Sequence, residues 1–327
     1  MSASLPASPS TPLSAGPSPS PHAPSPGARN PERPVVAVKP ITVPVPGRGM
    51  DLQVKVTAPV TGRNLPVIVF SHGNAWSMDG YEPLVDRWAA AGFVVVQPTH
   101  LDSRRNGIGW DDPRFPTVWR VRISDLHAVL DGLDGILGRA ADVGDRADLG
   151  RVAVVGHSWG AQTAGALLGA RVLDADGAPG EDFTHPAVAA GVLIAATGTG
   201  DSLTLFAVEH LPFMRPDYTT MTTPALVVAG GRDRSQLSTR GPDWFTDAYR
   251  IAPSPKSLLT IEEGEHTLGG LAGEKVAETT DEDPARVVLV ADAVSAYLLE
   301  ALGLDASAWA AWEKAAAAND GWDVTGK

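Results

Sequence analysis

Short, continuous apolar runs alternate with segments of helical spacing along most of this chain. The apolar runs are rich in β-branched residues and end in glycine or polar turns, which is typical of strands buried on both faces of a sheet. The segment "YEPLVDRWAAAG" (residues 81–92), by contrast, has helical spacing and a terminating glycine. This alternation, which extends over residues 65–303, predicts an α/β fold with a mostly parallel sheet and helices on both faces.

The predicted elements follow one another in a regular order. Residues 35–59 have the pattern of two strands with a turn at residues 46–49. Further strands are predicted at residues 65–73, 93–98, 151–158, 187–196, 224–231 and 256–264, and we expect the last of these to complete the sheet. Helices are predicted at residues 81–92, 118–137, 159–170, 283–303 and 306–318.

The beginning of the chain differs in composition from the rest. Residues 1–34 are mostly Pro, Ser and Ala, and such a segment buries too little apolar surface to offset the entropy lost on ordering. We therefore expect a disordered tail at residues 1–34 and one α/β domain at residues 35–327. Within that domain, residues 197–223 have mixed character and are interpreted as a possible cap or pocket insertion.

Composition narrows the classes of partner and chemistry. The net charge of −12 argues against nucleic acid as the main partner. The chain has no cysteine, which excludes disulfides, thiolate metal sites and a cysteine nucleophile. No apolar run is long enough for a transmembrane segment. No metal-ligand spacing and no dinucleotide-binding glycine pattern occurs, so we expect neither a metal nor another cofactor.

The sequence says less about location and assembly. No Lys or Arg precedes Arg29, and no apolar stretch of the kind found in secretory signal peptides occurs near the start. This pattern favours a cytoplasmic location, with secretion as the alternative. No feature of the sequence indicates the oligomeric state.

The pentapeptide "GHSWG" (residues 156–160) lies between a predicted strand and a predicted helix. A serine hydroxyl is a poor nucleophile unless a base lies within hydrogen-bond reach and N–H donors face the developing oxyanion. A sharp strand–turn–helix with glycines on both sides exposes a serine at a helix N-terminus. This context predicts that Ser158 is a nucleophile.

Candidate partners for Ser158 follow it along the chain. Asp233 comes directly after a predicted strand, at the edge where functional residues of α/β sheets gather. Asp201 and Asp217 are competing acids. His266 is the only histidine that follows both Ser158 and Asp233, in the order Ser–Asp–His that this architecture requires. We therefore predict His266 as the base and Asp233 as the acid.

Two backbone N–H groups are predicted to form the oxyanion hole. One belongs to Trp159, directly after the nucleophile, and the other to Asn74, in the turn after the first buried strand. Possible substrate-pocket residues are aromatic side chains near this edge or in the insertion: Trp76, Trp110, Trp119, Trp159 and Phe206.

Several charged residues nearby are assigned supporting roles. His72 is expected to shape the turn after the first buried strand through hydrogen bonds. His100 and Asp102 are expected to organise the loop after the next strand. Arg120, Arg122 and Asp125 are expected to form surface or inter-helix ion pairs, and the acidic residues around His266 a solvated loop.

With these motifs in place, the chain resembles the α/β-hydrolase family over residues 35–304. The resemblance is carried, in order, by "FSHGN", "GHSWG", "GGRD" and "GEHTLGG". Within the family, "LPVIVFSHG", "YEPLVDRWAAAGFVVVQPTHLDSR" and "VWRVRISDL" are most similar to one branch. That branch holds platelet-activating-factor acetylhydrolases, dienelactone-hydrolase-like proteins, chlorophyllases and cutinases.

The chain departs from each part of this branch in some respect. Dienelactone hydrolases proper use a cysteine, which this chain lacks. The acetylhydrolases place the acid after the preceding strand, which here ends "LIAATGTGD". Cutinase-type enzymes place the acid as Asp233 is placed, but the secreted ones often carry disulfides. The position within the branch therefore stays open.

The resemblance implies cleavage of a small-molecule or polymeric carboxylic ester through an acyl-enzyme. Ser158 would attack the carbonyl, His266 would take its proton, and Asp233 would orient His266. Two alternatives remain. One is an acyltransferase on the same triad, and the other is a catalytically silent binding protein with a hydrolase-like fold.

Overall fold

The computed structural model describes residues 33–109, 112–140, 142–273, 280–317 and 320–327. The predictions for the tail at residues 1–32 and for Trp110 lie outside these ranges.

Eleven strands and eight α-helices lie within the described ranges. The strands are β1 Val35–Val43, β2 Leu52–Pro59, β3 Leu65–Ser71, β4 Val94–Thr99, β5 Ala147–His157, β6 Arg171–Val172, β7 Val188–Ile194, β8 Pro216–Asp217, β9 Ala225–Gly230, β10 Lys256–Ile261 and β11 Trp322–Gly326. The helices are α1 Glu82–Ala91, α2 Val118–Asp131, α3 Leu133–Leu137, α4 Trp159–Leu167, α5 Leu205–His210, α6 Asp247–Ile251, α7 Pro284–Ala301 and α8 Ala308–Ala316. None of these described helices is both long and apolar enough to cross a bilayer.

Nine strands form one sheet in the order β1-β2-β4-β3-β5-β7-β9-β10-β11. The six central strands, from β4 to β10, run parallel. The two strands at the β1 edge and β11 at the other edge pair antiparallel. The α/β class and the mostly parallel sheet expected from the sequence are confirmed.

The sheet has a hydrophobic layer on each face. Along β3, Val67 and Val69 pack in the layer that includes α2 and α4, while Ile68 and Phe70 pack in the layer that includes α1 and α7. Successive side chains of a strand point to opposite faces, so a strand covered on both sides needs apolar residues at every position. This is why the central strands are continuous apolar runs rather than alternating ones.

Two expectations about the elements are wrong. The helix expected at residues 118–137 is interrupted at Gly132, where α2 ends and α3 begins. The strand at residues 256–264 is not the last, because β11 adds to the sheet beyond it and pairs Val324 with Leu259. β11 is short and its residues are exposed or half-buried, so it lacks the apolar run from which the sequence predicts the inner strands.

The insertion at residues 197–223 contains α5 and β8. β8 pairs with β6 in a separate two-stranded sheet, which ties the insertion to the segment after α4. On α5 the side chains of Leu205, Phe206 and Val208 are exposed, with Leu205 at 89%. The role of this segment as a cap stays a prediction.

Candidate active site

Ser158 lies in the turn between β5 and α4, at the carboxyl edge of the parallel strands. Its backbone angles, φ 57° and ψ −122°, fall in a region that L-residues rarely adopt. The backbone N–H of Ser158 donates to the carbonyl of Ile194 at 2.9 Å, which anchors the turn to neighbouring β7. Such strain persists only where the surrounding structure holds it, and it places the serine at the N-terminus of α4.

The two glycines of "GHSWG" are required by close backbone approaches. A β-carbon at Gly156 would overlap the carbonyl of Gly160, and one at Gly160 would overlap the carbonyl of Ser71. Strand β5, the start of α4 and the end of β3 are therefore packed so tightly that only hydrogen side chains fit. The motif is a consequence of this packing.

Ser158, His266 and Asp233 form a continuous hydrogen-bonded chain. The Oγ atom of Ser158 lies 2.9 Å from Nε2 of His266, and Nδ1 of His266 lies 2.9 Å from Oδ2 of Asp233. A carboxylate only accepts, so Nδ1 carries the proton in a neutral ring and Nε2 is left to accept from the serine hydroxyl. Asp233 is fully buried, while the imidazole of His266 is 40% exposed toward solvent.

The competing acids have other partners. Asp201 accepts a hydrogen bond from the hydroxyl of Thr199, and Asp217 accepts one from the backbone N–H of Thr219 at 2.9 Å. Of the three acids considered, only Asp233 is hydrogen-bonded to His266.

The turn after β3 lies against Ser158. A β-carbon at Gly73 would be 3.5 Å from Cβ of Ser158, so the backbone of this turn and the serine are in close proximity. Asn74 is the next residue, and Trp159 is the first residue of α4. Both predicted N–H donors thus belong to segments that flank Ser158, and their role in an oxyanion hole stays a prediction.

His157 and Tyr81, which were not singled out from the sequence, link three parts of this site. Nε2 of His157 lies 2.9 Å from the backbone carbonyl of His266, so it must donate. Nδ1 then accepts from the hydroxyl of Tyr81 at 2.9 Å, and that hydroxyl accepts from the N–H of Gly73 at 3.1 Å. Burial, and then the nearby His266, lower the pKa of His157 to about 3, which keeps it neutral.

His72 and His100 are buried behind the turn after β3. The N–H of His100 donates to Nε2 of His72 at 3.0 Å, and His72 Nδ1 donates to the carbonyl of Gly73 at 2.7 Å. His100 also lies within hydrogen-bond distance of the Ser71 hydroxyl and the Asp125 carboxylate. Burial lowers the pKa of both imidazoles well below the usual range, so both are neutral.

The charged residues expected in surface or inter-helix pairs separate into two kinds. Arg120 is exposed and pairs with Glu181. Arg122 and Asp125 are buried, and each pairs with a partner outside the helices, Arg122 with Asp102 and Asp125 with Arg48. The spacing on α2 does not reveal this burial, because the partners lie outside the helix, 20 positions from Arg122 and 77 positions from Asp125.

Two acidic residues of the loop around His266 form contacts at the surface. Glu263 pairs with Arg232, and Glu265 accepts a hydrogen bond from the hydroxyl of Thr280 at 2.7 Å. In the described ranges, no group of three or more His, Cys, Asp or Glu residues could hold a metal ion.

A small cavity lies beside the first turn of α4. It is lined by Trp119, Arg122, Ile123, Trp159, Gln162, Thr163, Val172, Phe213 and Met214. Its free volume of about 10 Å³ is on the scale of one water molecule, so an acyl chain would enter only after side chains move. Trp76 and Phe206 do not line it: Trp76 packs against the Tyr81 ring, and Phe206 is 48% exposed on α5.

The comparison with protein families agrees with the fold. Residues 36–174 match the model of the family described as Chlorophyllase, an α/β-hydrolase-like family. The matched range contains the turn after β3 and Ser158, whereas Asp233 and His266 lie beyond it. None of the curated proteins compared with the chain matches it. Residues 36–174 are therefore similar to the chlorophyllase family, and the mostly parallel central sheet is consistent with the α/β-hydrolase fold of that family.

Proposed function

We propose that this protein is a serine hydrolase that cleaves carboxylic esters. The observation that carries the proposal is the chain of hydrogen bonds from Ser158 through His266 to Asp233, with both links at 2.9 Å. Nucleophile, base and orienting acid are thereby in reach of one another.

In the first half-reaction, His266 removes the proton from Ser158 as Oγ attacks the ester carbonyl. Asp233 holds the imidazole in the tautomer that accepts at Nε2 and stabilises the imidazolium that forms. The backbone N–H groups of Asn74 and Trp159 stabilise the oxyanion of the tetrahedral intermediate. His266 then protonates the departing alcohol, which leaves an acyl group on Ser158.

In the second half-reaction, His266 activates a water molecule in the same way. Water attacks the acyl-enzyme, the oxyanion forms again in the same place, and the acid product leaves with Ser158 restored. The exposed face of the His266 imidazole gives water access to this position.

The similarity to a hydrolase family supports water as the acceptor. The matched range includes Ser158 but neither Asp233 nor His266, so it informs the reaction class more than the substrate. The family's name nevertheless makes chlorophyll a substrate to include beside simpler esters.

The test compares wild type with Ser158→Ala. We expect a fluorophosphonate probe to label only wild type, and p-nitrophenyl esters of graded chain length to be hydrolysed only by wild type. Absence of labelling, or equal turnover by both proteins, would contradict the proposal. Product analysis with an added alcohol then separates hydrolysis, which yields the free acid, from acyl transfer, which yields a new ester.

A further inference from the structure

Arg122 lies on α2 with its guanidinium buried beneath the turn after β3. Nε and Nη2 donate to the two carboxylate oxygens of Asp102 at 2.9 and 2.8 Å. Nη1 donates to the carbonyl of His72 at 2.8 Å, and Nη2 also donates to the carbonyl of Gly73 at 3.0 Å. One fully buried side chain thus binds an acid and two consecutive carbonyls of the same turn.

The second of these carbonyls has a direct consequence for Asn74. The carbonyl of Gly73 and the N–H of Asn74 belong to one peptide unit, which is planar and trans, so they point in opposite directions. Fixing the Gly73 oxygen on Arg122 therefore aims the Asn74 N–H away from the guanidinium. His72 Nδ1 donates to the same oxygen at 2.7 Å and reinforces this orientation.

The buried Arg122–Asp102 ion pair is suited to holding the backbone of the turn after β3. Burial raises the pKa of the Asp102 carboxyl, but Arg122, with smaller contributions from His72 and His100, more than offsets this and lowers it to about 2, so the pair stays ionised. A buried ion pair often stabilises a fold no better than apolar residues of similar volume would. A bidentate guanidinium does what apolar residues cannot, because its remaining N–H groups hold carbonyls in fixed directions.

We propose that Arg122, held in place by Asp102, is a positioning residue that orients the Gly73–Asn74 peptide so that the Asn74 N–H faces the oxyanion formed at Ser158. The proposal rests on the esterase function proposed above. Cζ of Arg122 also lies 5.9 Å from the ring centroid of Trp159. The backbone of Trp159 supplies the other N–H donor of the proposed oxyanion hole.

Arg48 provides a matched control. Its side chain is equally buried, binds both carboxylate oxygens of Asp125 and donates to backbone carbonyls, including that of Thr99. It has no hydrogen bond to His72 or Gly73. Replacing it by lysine disturbs a buried ion pair of the same kind without removing a donor to the turn.

The experiment compares Arg122→Lys with Arg48→Lys, using a p-nitrophenyl ester and a boronic acid that forms a tetrahedral adduct with serine. Lysine keeps the charge but lacks the fork that spans Asp102 and both carbonyls. Loss of one oxyanion donor typically costs 10²–10³-fold in kcat, so we expect misorientation in Arg122→Lys to cost about 10- to 100-fold. KM should change less than about threefold, because a ground-state carbonyl uses this donor weakly.

Two further readouts separate this role from a general loss of structure. The boronic acid should bind Arg122→Lys more weakly by about the factor lost in kcat/KM. The acidic limb of the pH profile should not move in Arg122→Lys. Lysine keeps the positive charge at this position, and Arg122 contacts none of the three triad side chains. Arg48→Lys should retain kcat within about threefold, even where its thermal stability falls.

A double variant guards against misfolding of the single one. Arg122→Met with Asp102→Leu removes both charges and fills a similar volume, which is often neutral for stability. It also removes both carbonyl contacts, so a folded double variant should show the same loss of kcat. Normal kcat in either Arg122 variant, or an equal loss in Arg48→Lys, would overturn the inference while leaving the esterase function intact. If wild type itself neither turns over esters nor binds the boronic acid, both proposals fail.

Discussion

Nε2 of His157 donates to the backbone carbonyl of His266 across 2.9 Å, so the residue before Ser158 holds the loop that carries His266. The two residues are 109 positions apart in sequence. Their rings also pack against each other, with centroids 5.1 Å apart. The serine turn and the histidine loop are therefore joined by a contact separate from the Ser158–His266 hydrogen bond.

Tyr81→Phe should weaken the contact between His157 and the His266 loop, because Tyr81 bonds the other nitrogen of the His157 ring. The change removes the hydroxyl that donates to Nδ1 of His157 and accepts from the N–H of Gly73. Leaving these two buried polar groups unpaired costs about 1–3 kcal/mol each, so unfolding in urea should show a loss of about 2–6 kcal/mol. We also expect kcat to fall about tenfold with KM little changed. Tyr297→Phe, at a buried tyrosine on α7, is the control and should keep its kcat.

Asp233→Asn should lower kcat by about 10³–10⁴-fold, because an amide no longer selects the His266 tautomer that accepts at Nε2. Asp201→Asn should stay within about threefold of wild type, since Asp201 is bonded to Thr199 rather than to His266. Steady-state kinetics on one ester settles the comparison. Activity lost only in Asp201→Asn would mean that the acid is misassigned.

Gly160→Ala should be severely destabilising. The new methyl group would overlap the backbone carbonyl of Ser71, and backbone yields less readily than a flexible side chain. We expect a loss of about 3 kcal/mol or more in the free energy of unfolding. Gly135→Ala on α3 is the counterpart: its β-carbon meets nothing within 4 Å, so alanine should stabilise by about 0.5–1 kcal/mol. Equal effects of the two changes would contradict this account of the motif.

Stability should fall as the pH drops below about 6.5. Burial lowers the pKa of His72, His100 and His157, the last to about 3. As the pH falls, these imidazoles therefore become protonated in the unfolded chain while they stay neutral in the folded chain. Each such proton lowers the free energy of unfolding by about 1.4 kcal/mol per pH unit between these pKa values. Asp125 has the opposite effect, because burial raises its pKa to about 6. Below that pH the folded chain binds one proton at Asp125 that the unfolded chain does not yet bind, which partly offsets the loss of stability.

Urea midpoints measured between pH 7.5 and 4.5 test this linkage. His157→Gln should reduce the pH slope by about one proton, whatever its effect on stability at neutral pH. A slope unchanged by this substitution would show that His157 is not buried in its neutral form.

The parts of the site that could be predicted are those with a local signature. Ser158 is predicted as a nucleophile because a strand, a glycine-flanked turn and a helix follow one another within a few residues. Asp233 and His266 are predicted as its partners from their positions after strands, and the structure places the three side chains within hydrogen-bond distance. Phe206 is predicted as a pocket residue only from its aromatic character, and its exposure on α5 depends on packing that the local sequence does not encode.

By itself, the sequence determined the α/β class, the parallel centre of the sheet and the order of the candidate triad. These follow from periodicity and strand-end position, which are properties of neighbouring residues. Only the tertiary structure decided that β11 extends the sheet, that His157 holds the His266 loop and that Arg122 holds the carbonyls of His72 and Gly73. Each of these contacts joins residues about 50 or more positions apart, and their chemistry depends on burial that only packing establishes.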